Sequence, residues 1–113
     1  MQRARKFYAE KLGMEPMQEF PDGSVFYRCK GSFFMLYPSQ YAGTAQNTAM
    51  EWTTLNIERD MQELRARGVV FEEYDFPEFK TVNGIATFGP IKSAWFKDSE
   101  GNILALGQLG AIG

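Results

Sequence analysis

The sequence predicts an α+β fold made of two similar modules, the first of them one strand short. Three observations predict it. Apolar residues recur at the spacing of one helical face twice, at Ala4, Phe7, Tyr8 and Leu12 and again at Ile57, Met61 and Leu64. Each helical segment stops at a glycine and is followed by short aromatic or β-branched runs bounded by turn residues. The junctions also match, because Lys11-Leu12-Gly13-Met14 stands in the first half where Ala66-Arg67-Gly68-Val69 stands in the second. A chain of 113 residues suits one domain, 1–113, with an incomplete first module at 1–38 and a second at 49–113. The polar stretch Pro38 to Thr48 is the expected connection.

In chain order, the first helix starts among Arg3, Arg5 and Lys6, where cations oppose the helix dipole, and no capping side chain precedes it. This helix is expected to be preceded by more chain. Met14 to Phe20 reads as an edge strand containing Pro16. Pro21-Asp22-Gly23-Ser24 reads as a turn, and Ser24 to Lys30 and Ser32 to Tyr37 as strands separated around Gly31. Met50 to Leu55 is strand-like, and Asn56 is placed to cap the second helix, with Glu58 and Asp60 in its first turn. Val69 to Tyr74 reads as a strand and Pro77 to Gly84 as a loop. Ile85 to Phe88, Lys92 to Lys97 and Ile103 to Gln108 complete the strands, with Asp98 to Asn102 a turn and Gly107 to Gly113 a tail.

Composition excludes several function classes. There is no histidine, so no Ser-His-Asp or Cys-His arrangement and no His-ligated metal can form within one chain. An acid or base would be Asp, Glu, Lys, Tyr or Cys. The net charge of -2, spread along the chain, gives no general attraction to nucleic acid or to an anionic membrane. No apolar run reaches the roughly 18 residues of a membrane span. Met1 leads directly into a charged segment, and Cys29 is the only cysteine, so a reducing, cytoplasmic setting is expected.

Three stretches carry a family resemblance. They are Phe7-Tyr8 with Leu12-Gly13; Trp52 to Gly68, with Asn56-Ile57 before the helix and Leu64 to Gly68 at its end; and Ala94-Trp95-Phe96-Lys97-Asp98-Ser99-Glu100-Gly101-Asn102-Ile103-Leu104. Together they resemble the vicinal-oxygen-chelate superfamily of glyoxalase, bleomycin-resistance and extradiol dioxygenase proteins, over nearly the whole chain. Ser99 stands where that family usually has proline. The resemblance implies two βαβββ modules forming a curved mixed sheet around a cavity, with the first strand of the first module absent, and it implies a homodimer. It also implies metal-ligand positions at Ala105, Ala49 and Met35, with a fourth on the missing strand. Alanine and methionine offer a divalent cation no hard donor, so no metal and no other cofactor is expected.

Strand alternation turns this into a candidate site. Phe33, Met35 and Tyr37, then Ala49, Glu51 and Thr53, then Ile103, Ala105 and Gly107 are expected to face the cavity. Phe34, Leu36, Met50, Trp52, Leu104 and Leu106 would lie behind, against the helices. With Trp95 as a stacking surface, the candidate ligand-binding set is Phe33, Met35, Tyr37, Ala49, Glu51, Thr53, Trp95 and Ala105, suited to a small apolar or aromatic ligand. Each residue also has a plainer reading. Glu51 is a base or cation anchor, or a solvated carboxylate; Tyr37 and Trp95 orient a ligand, or pack. Cys29 has no histidine to activate it, and the acids Glu72, Glu73, Asp75 and Glu78 read as a solvated face. Gly107, Gly110 and Gly113 do not form a phosphate loop, since no helix follows.

The leading expectation is a metal-free small-molecule-binding protein similar to the bleomycin-resistance branch. The alternative is a metal-dependent lyase or dioxygenase-like enzyme with relocated or missing ligands. A third reading is a truncated remnant held together by its partner.

Overall fold

A computed structural model describes residues 1–29 and 32–109. Among them are two helices, α1 (Gln2–Glu10) and α2 (Ile57–Ala66). The strands are β1 (Gln18–Glu19), β2 (Val25–Cys29), β3 (Ser32–Leu36), β4 (Thr48–Thr53), β5 (Thr81–Val82), β6 (Ile85–Phe88), β7 (Ile91–Lys97) and β8 (Ile103–Gln108). They form a three-stranded sheet, β1-β2-β3, and a five-stranded sheet, β4-β8-β7-β6-β5, mixed because β4 runs parallel to β8. The fold is therefore α+β, as predicted, with its strands divided between two open sheets. The second module has a strand, β4, alongside its last strand, and the first module has none alongside β3. The described edges of β3 and β4 are therefore unpaired.

Local chemistry explains the elements that match. Asn56 caps α2 by accepting from the Arg59 amide, and Glu58 and Asp60 occupy its first turn. Gly13 and Gly68 take positive φ, 69° and 95°, which ends both helices. The Arg67 side chain lies over Gly13 and that of Lys11 over Gly68, so the two helix ends cross reciprocally. At the turn after β1, Asp22 accepts from the Ser24 amide and Gly23 has a φ of 94°. The unfavourable cations of α1 are compensated in tertiary contacts, Arg3 by Glu100 and Arg5 by Glu19.

Other segments differ from expectation. The strand expected over Met14 to Phe20 shrinks to Gln18–Glu19, because Pro16 has no amide to donate to a ladder. Val69 to Tyr74 is not a strand; it meets the sheet through the Phe71–Phe96 bridge, the Glu72 amide donating to the Trp95 carbonyl and the Thr81 amide donating to the Tyr74 carbonyl. From Ser93 to Ile91 the same edge of β7 is taken by β6, so the segment cannot continue along it. Within the expected loop, Thr81–Val82 pairs with β6 as β5. Gly107 and Gln108 belong to β8, not to a tail. Gly31, Gly110 and Gly113 lie outside the described residues.

The core lies between the sheets and the helices. Tyr8, Tyr27, Ile57, Met61, Phe96, Leu104 and Leu106 are buried there, with Phe34, Leu36, Met50 and Trp52 packed against them. These include all six residues expected behind the cavity face. Tyr8, Tyr27 and Phe34 form a three-ring aromatic cluster, and Phe34 meets Trp52 edge-on with ring centroids 6.1 Å apart, linking the two sheets.

Candidate functional site

The face of the five-stranded sheet away from the helices carries the candidate chemistry. Register sets it in rows. Glu51 on β4, Ala105 on β8 and Trp95 on β7 stand side by side, and Thr53, Gly107 and Ser93 form the next row. Side chains in one row share a face, so Glu51 and Trp95 flank the Ala105 methyl.

Trp95 does not stand upright. Its indole N–H donates to the Thr48 hydroxyl at 3.2 Å, and Thr48 belongs to β4, on the far side of β8. The indole therefore reaches across β8, and Ala105, between the two strands, is almost fully buried at 1% exposure. A larger side chain at position 105 would meet the ring. Tyr74 and Phe79 pack on Trp95 at centroid distances of 5.6 and 5.5 Å, and Phe76 and Phe88 extend the group. Apolar aromatic surface thus lines one side of the face.

Glu51 lines the other side. Its carboxylate leans over β8, so that a Cβ built on Gly107 would lie 2.6 Å from Oε1. Gly107 has no positive φ that would call for glycine; the glycine leaves room for the carboxylate. Nearby, Glu72 pairs with Lys97 at 3.5 Å. Hydrogen bonds from the Thr81 hydroxyl and the Gly84 amide hold the Glu73 carboxyl below the usual range.

The hairpin Asp98–Asn102 fixes β7 and β8 beneath this face. The buried Asp98 carboxylate accepts from the Tyr8 hydroxyl, the Glu100 and Asn102 amides and the Asn102 side chain, all within 2.9 Å. Burial, and then the charge of Asp98, push the Tyr8 hydroxyl far above its ordinary pKa. Asn102 in turn accepts from the Gly43 amide at 3.2 Å, tying down the connection between the modules.

The eight predicted residues fall into separate groups. Glu51, Ala105 and Trp95 share one row, with Thr53 in the next. Met35, Tyr37 and Ala49 line a cleft of about 500 Å³ bordered by β3 and β4. Phe33 lies apart, under the Arg28 guanidinium. A β-bulge between Thr48 and Met50 sets Thr48, not Ala49, opposite Ile103. Strict alternation therefore missed Thr48. It also missed Tyr74 and Phe79, which come from a segment without periodicity. Cys29 is half-buried and lines a second cleft of about 490 Å³ on the helix side, with Trp52 and Leu106.

No protein-family model and no curated protein sequence matches the chain. Solved structures do match. An antibiotic-binding protein from Streptomyces sp. CB03234 is 22% identical with a TM-score of 0.61, covering 95% of this chain and 84% of that one. A lactoylglutathione lyase from Agrobacterium tumefaciens is 17% identical with a TM-score of 0.63, over 95% and 84% of the two chains. A glyoxalase/bleomycin resistance protein/dioxygenase from Nocardioides is 16% identical with a TM-score of 0.63, over 99% and 78%. The fold is that of the vicinal-oxygen-chelate proteins. Such likeness identifies the vicinal-oxygen-chelate fold and leaves the activity to the site. The three positions that the family resemblance makes metal-ligand positions offer no hard donor here. Ala105 is covered, Ala49 has no donor atom and Met35 offers only a thioether. Among the described residues no three His, Cys, Asp or Glu side chains come together to hold an ion.

Proposed function

We propose that this protein binds a small, largely apolar aromatic molecule on the Trp95–Glu51 face and does not use the metal chemistry known for its fold. The observation that carries this reading is the state of Ala105: a nearly fully buried methyl group, next to an indole that is hydrogen-bonded in place, at a position that the family resemblance makes a metal-ligand position. Aromatic walls and a few fixed polar groups are the usual composition of a small-molecule site. The antibiotic-binding protein of the same fold is consistent with such a role. The proposed binding set on this face is Glu51, Thr53, Trp95 and Ala105, extended by Thr48, Tyr74 and Phe79; Phe33, Met35, Tyr37 and Ala49 lie outside it. Two copies are proposed to pair, because β3 and β4 have open edges and Phe33, Met35 and Tyr37 are 59%, 46% and 62% exposed. Sedimentation at micromolar concentration is expected to show a dimer; a monomer throughout would remove that part of the proposal.

One observation favours the enzyme reading: Glu51 stands directly across from Ala105, so a carboxylate is present one strand away from a ligand position. Elemental analysis after incubation with zinc, nickel, manganese and iron(II) separates the two. Less than stoichiometric metal in every case is expected. One tightly held ion per chain or per dimer would overturn the binding-protein reading in favour of a metal-dependent lyase or dioxygenase. Trp95→Ala is expected to weaken binding of a neutral aromatic probe by about tenfold or more, since aromatic anchors carry most of such affinity.

A further inference from the structure

We infer that the ligand of this face is an organic cation, with a planar apolar part that rests against the Trp95 side and a protonated amine or amidine that meets Glu51. The inference rests on the binding role proposed above and adds the charge class of what is bound. Glu51 makes no hydrogen bond or ion pair among the described residues, whereas its acidic neighbours are engaged, Glu72 with Lys97 and Glu73 with Thr81 and Gly84. It is also seated, because its carboxylate occupies the space that a side chain at Gly107 would take.

The surrounding charge has the same sign. Lys97 shares this face but is neutralised by Glu72. Lys92 is bound to Glu58 of α2, on the opposite face. The segment that supplies Tyr74 and Phe79 carries Glu72, Glu73, Asp75 and Glu78 against Lys80 alone. An anionic ligand would meet an uncompensated carboxylate here, and a neutral one would leave it unused. A carboxylate beside an aromatic wall holds a cation twice, by its charge and by the negative face of the ring.

Three probes sharing one ring system test this: naphthylmethylamine, naphthylmethanol and naphthoate, titrated calorimetrically at neutral pH and low salt. The amine is expected to bind the wild-type protein about tenfold more tightly than the alcohol, and naphthoate to bind weakest. In Glu51→Gln the ratio of amine to alcohol affinity is expected to fall from about ten to about one. Glu51 is exposed, so this variant is expected to keep the wild-type melting temperature. Gly107→Ala, which displaces the carboxylate, is expected to reduce the preference for the amine in the same way. Equal binding of amine and alcohol by the wild type, or a preference that survives Glu51→Gln, overturns the charge assignment and leaves the binding role standing. No binding of any of the three overturns the binding role itself.

Discussion

At the scale of single residues, Asp98 does more for this fold than any other polar side chain described. It accepts four hydrogen bonds, two from backbone amides of its own turn and one from Tyr8 of the first module. Removing it leaves several buried donors unsatisfied, and Asp98→Ala is expected to cost about 3 kcal/mol or more in chemical denaturation. Tyr8→Phe removes one bond to a charged acceptor and is expected to cost about 1.5–3 kcal/mol. By contrast, the buried Tyr27 hydroxyl has no partner among the described residues. Tyr27→Phe is therefore expected to leave stability unchanged or raise it by up to about 1 kcal/mol. Glu100 adds a pH signature. Its hydrogen bonds from Arg3 and then Ser99 lower its pKa from 4.5 to about 2. The stability it contributes is present above the ordinary value and is lost as the pH falls from about 4.5 through about 2. Melting curves of wild type and Glu100→Gln should differ at neutral pH and converge at the acid end; a gap that persists there would exclude this pair as the cause.

At the scale of elements, α2 was the most legible. Its cap, acidic first turn, buried face and glycine stop are all local devices, and each is present. Asn56→Ala is expected to cost about 1 kcal/mol, read by thermal melting. The hairpin Asp98–Asn102 and β8 were equally legible, because turn chemistry and alternation agree there. Strands that depend on neighbours were not. Val69 to Tyr74 has the composition of a strand, but only Phe71 finds a ladder partner. Thr81–Val82 has the composition of a loop and becomes a strand because β6 offers an edge. The β4 bulge leaves Ala49 without a partner on β8 and sets Thr48, the residue that orients Trp95, opposite Ile103 instead. A bulge is a property of two paired strands and leaves no mark on the period of either.

At the scale of the whole molecule, the two sheets are joined mainly through side chains on their helix-facing sides. Phe34 and Trp52 bridge them at 6.1 Å. A double-mutant cycle on Phe34→Leu and Trp52→Leu is expected to give a coupling of about 0.5–1.5 kcal/mol. A coupling near zero would mean that the sheets are held by the helices and the connecting loop alone. The sequence by itself determined the α+β class, the two-module pattern, the helix faces, the division of strand residues between core and open face, and the absence of hard donors at Ala49 and Ala105. These follow from period, turn chemistry and residue type, which are local. Tertiary structure alone decided that the sheets stay separate, that Trp95 lies across β8 over Ala105, that Tyr74 and Phe79 join it, and that Glu51 rests in the space left by Gly107. Each of these depends on which strands become neighbours and in what register, and that choice is made by packing between segments far apart in the chain.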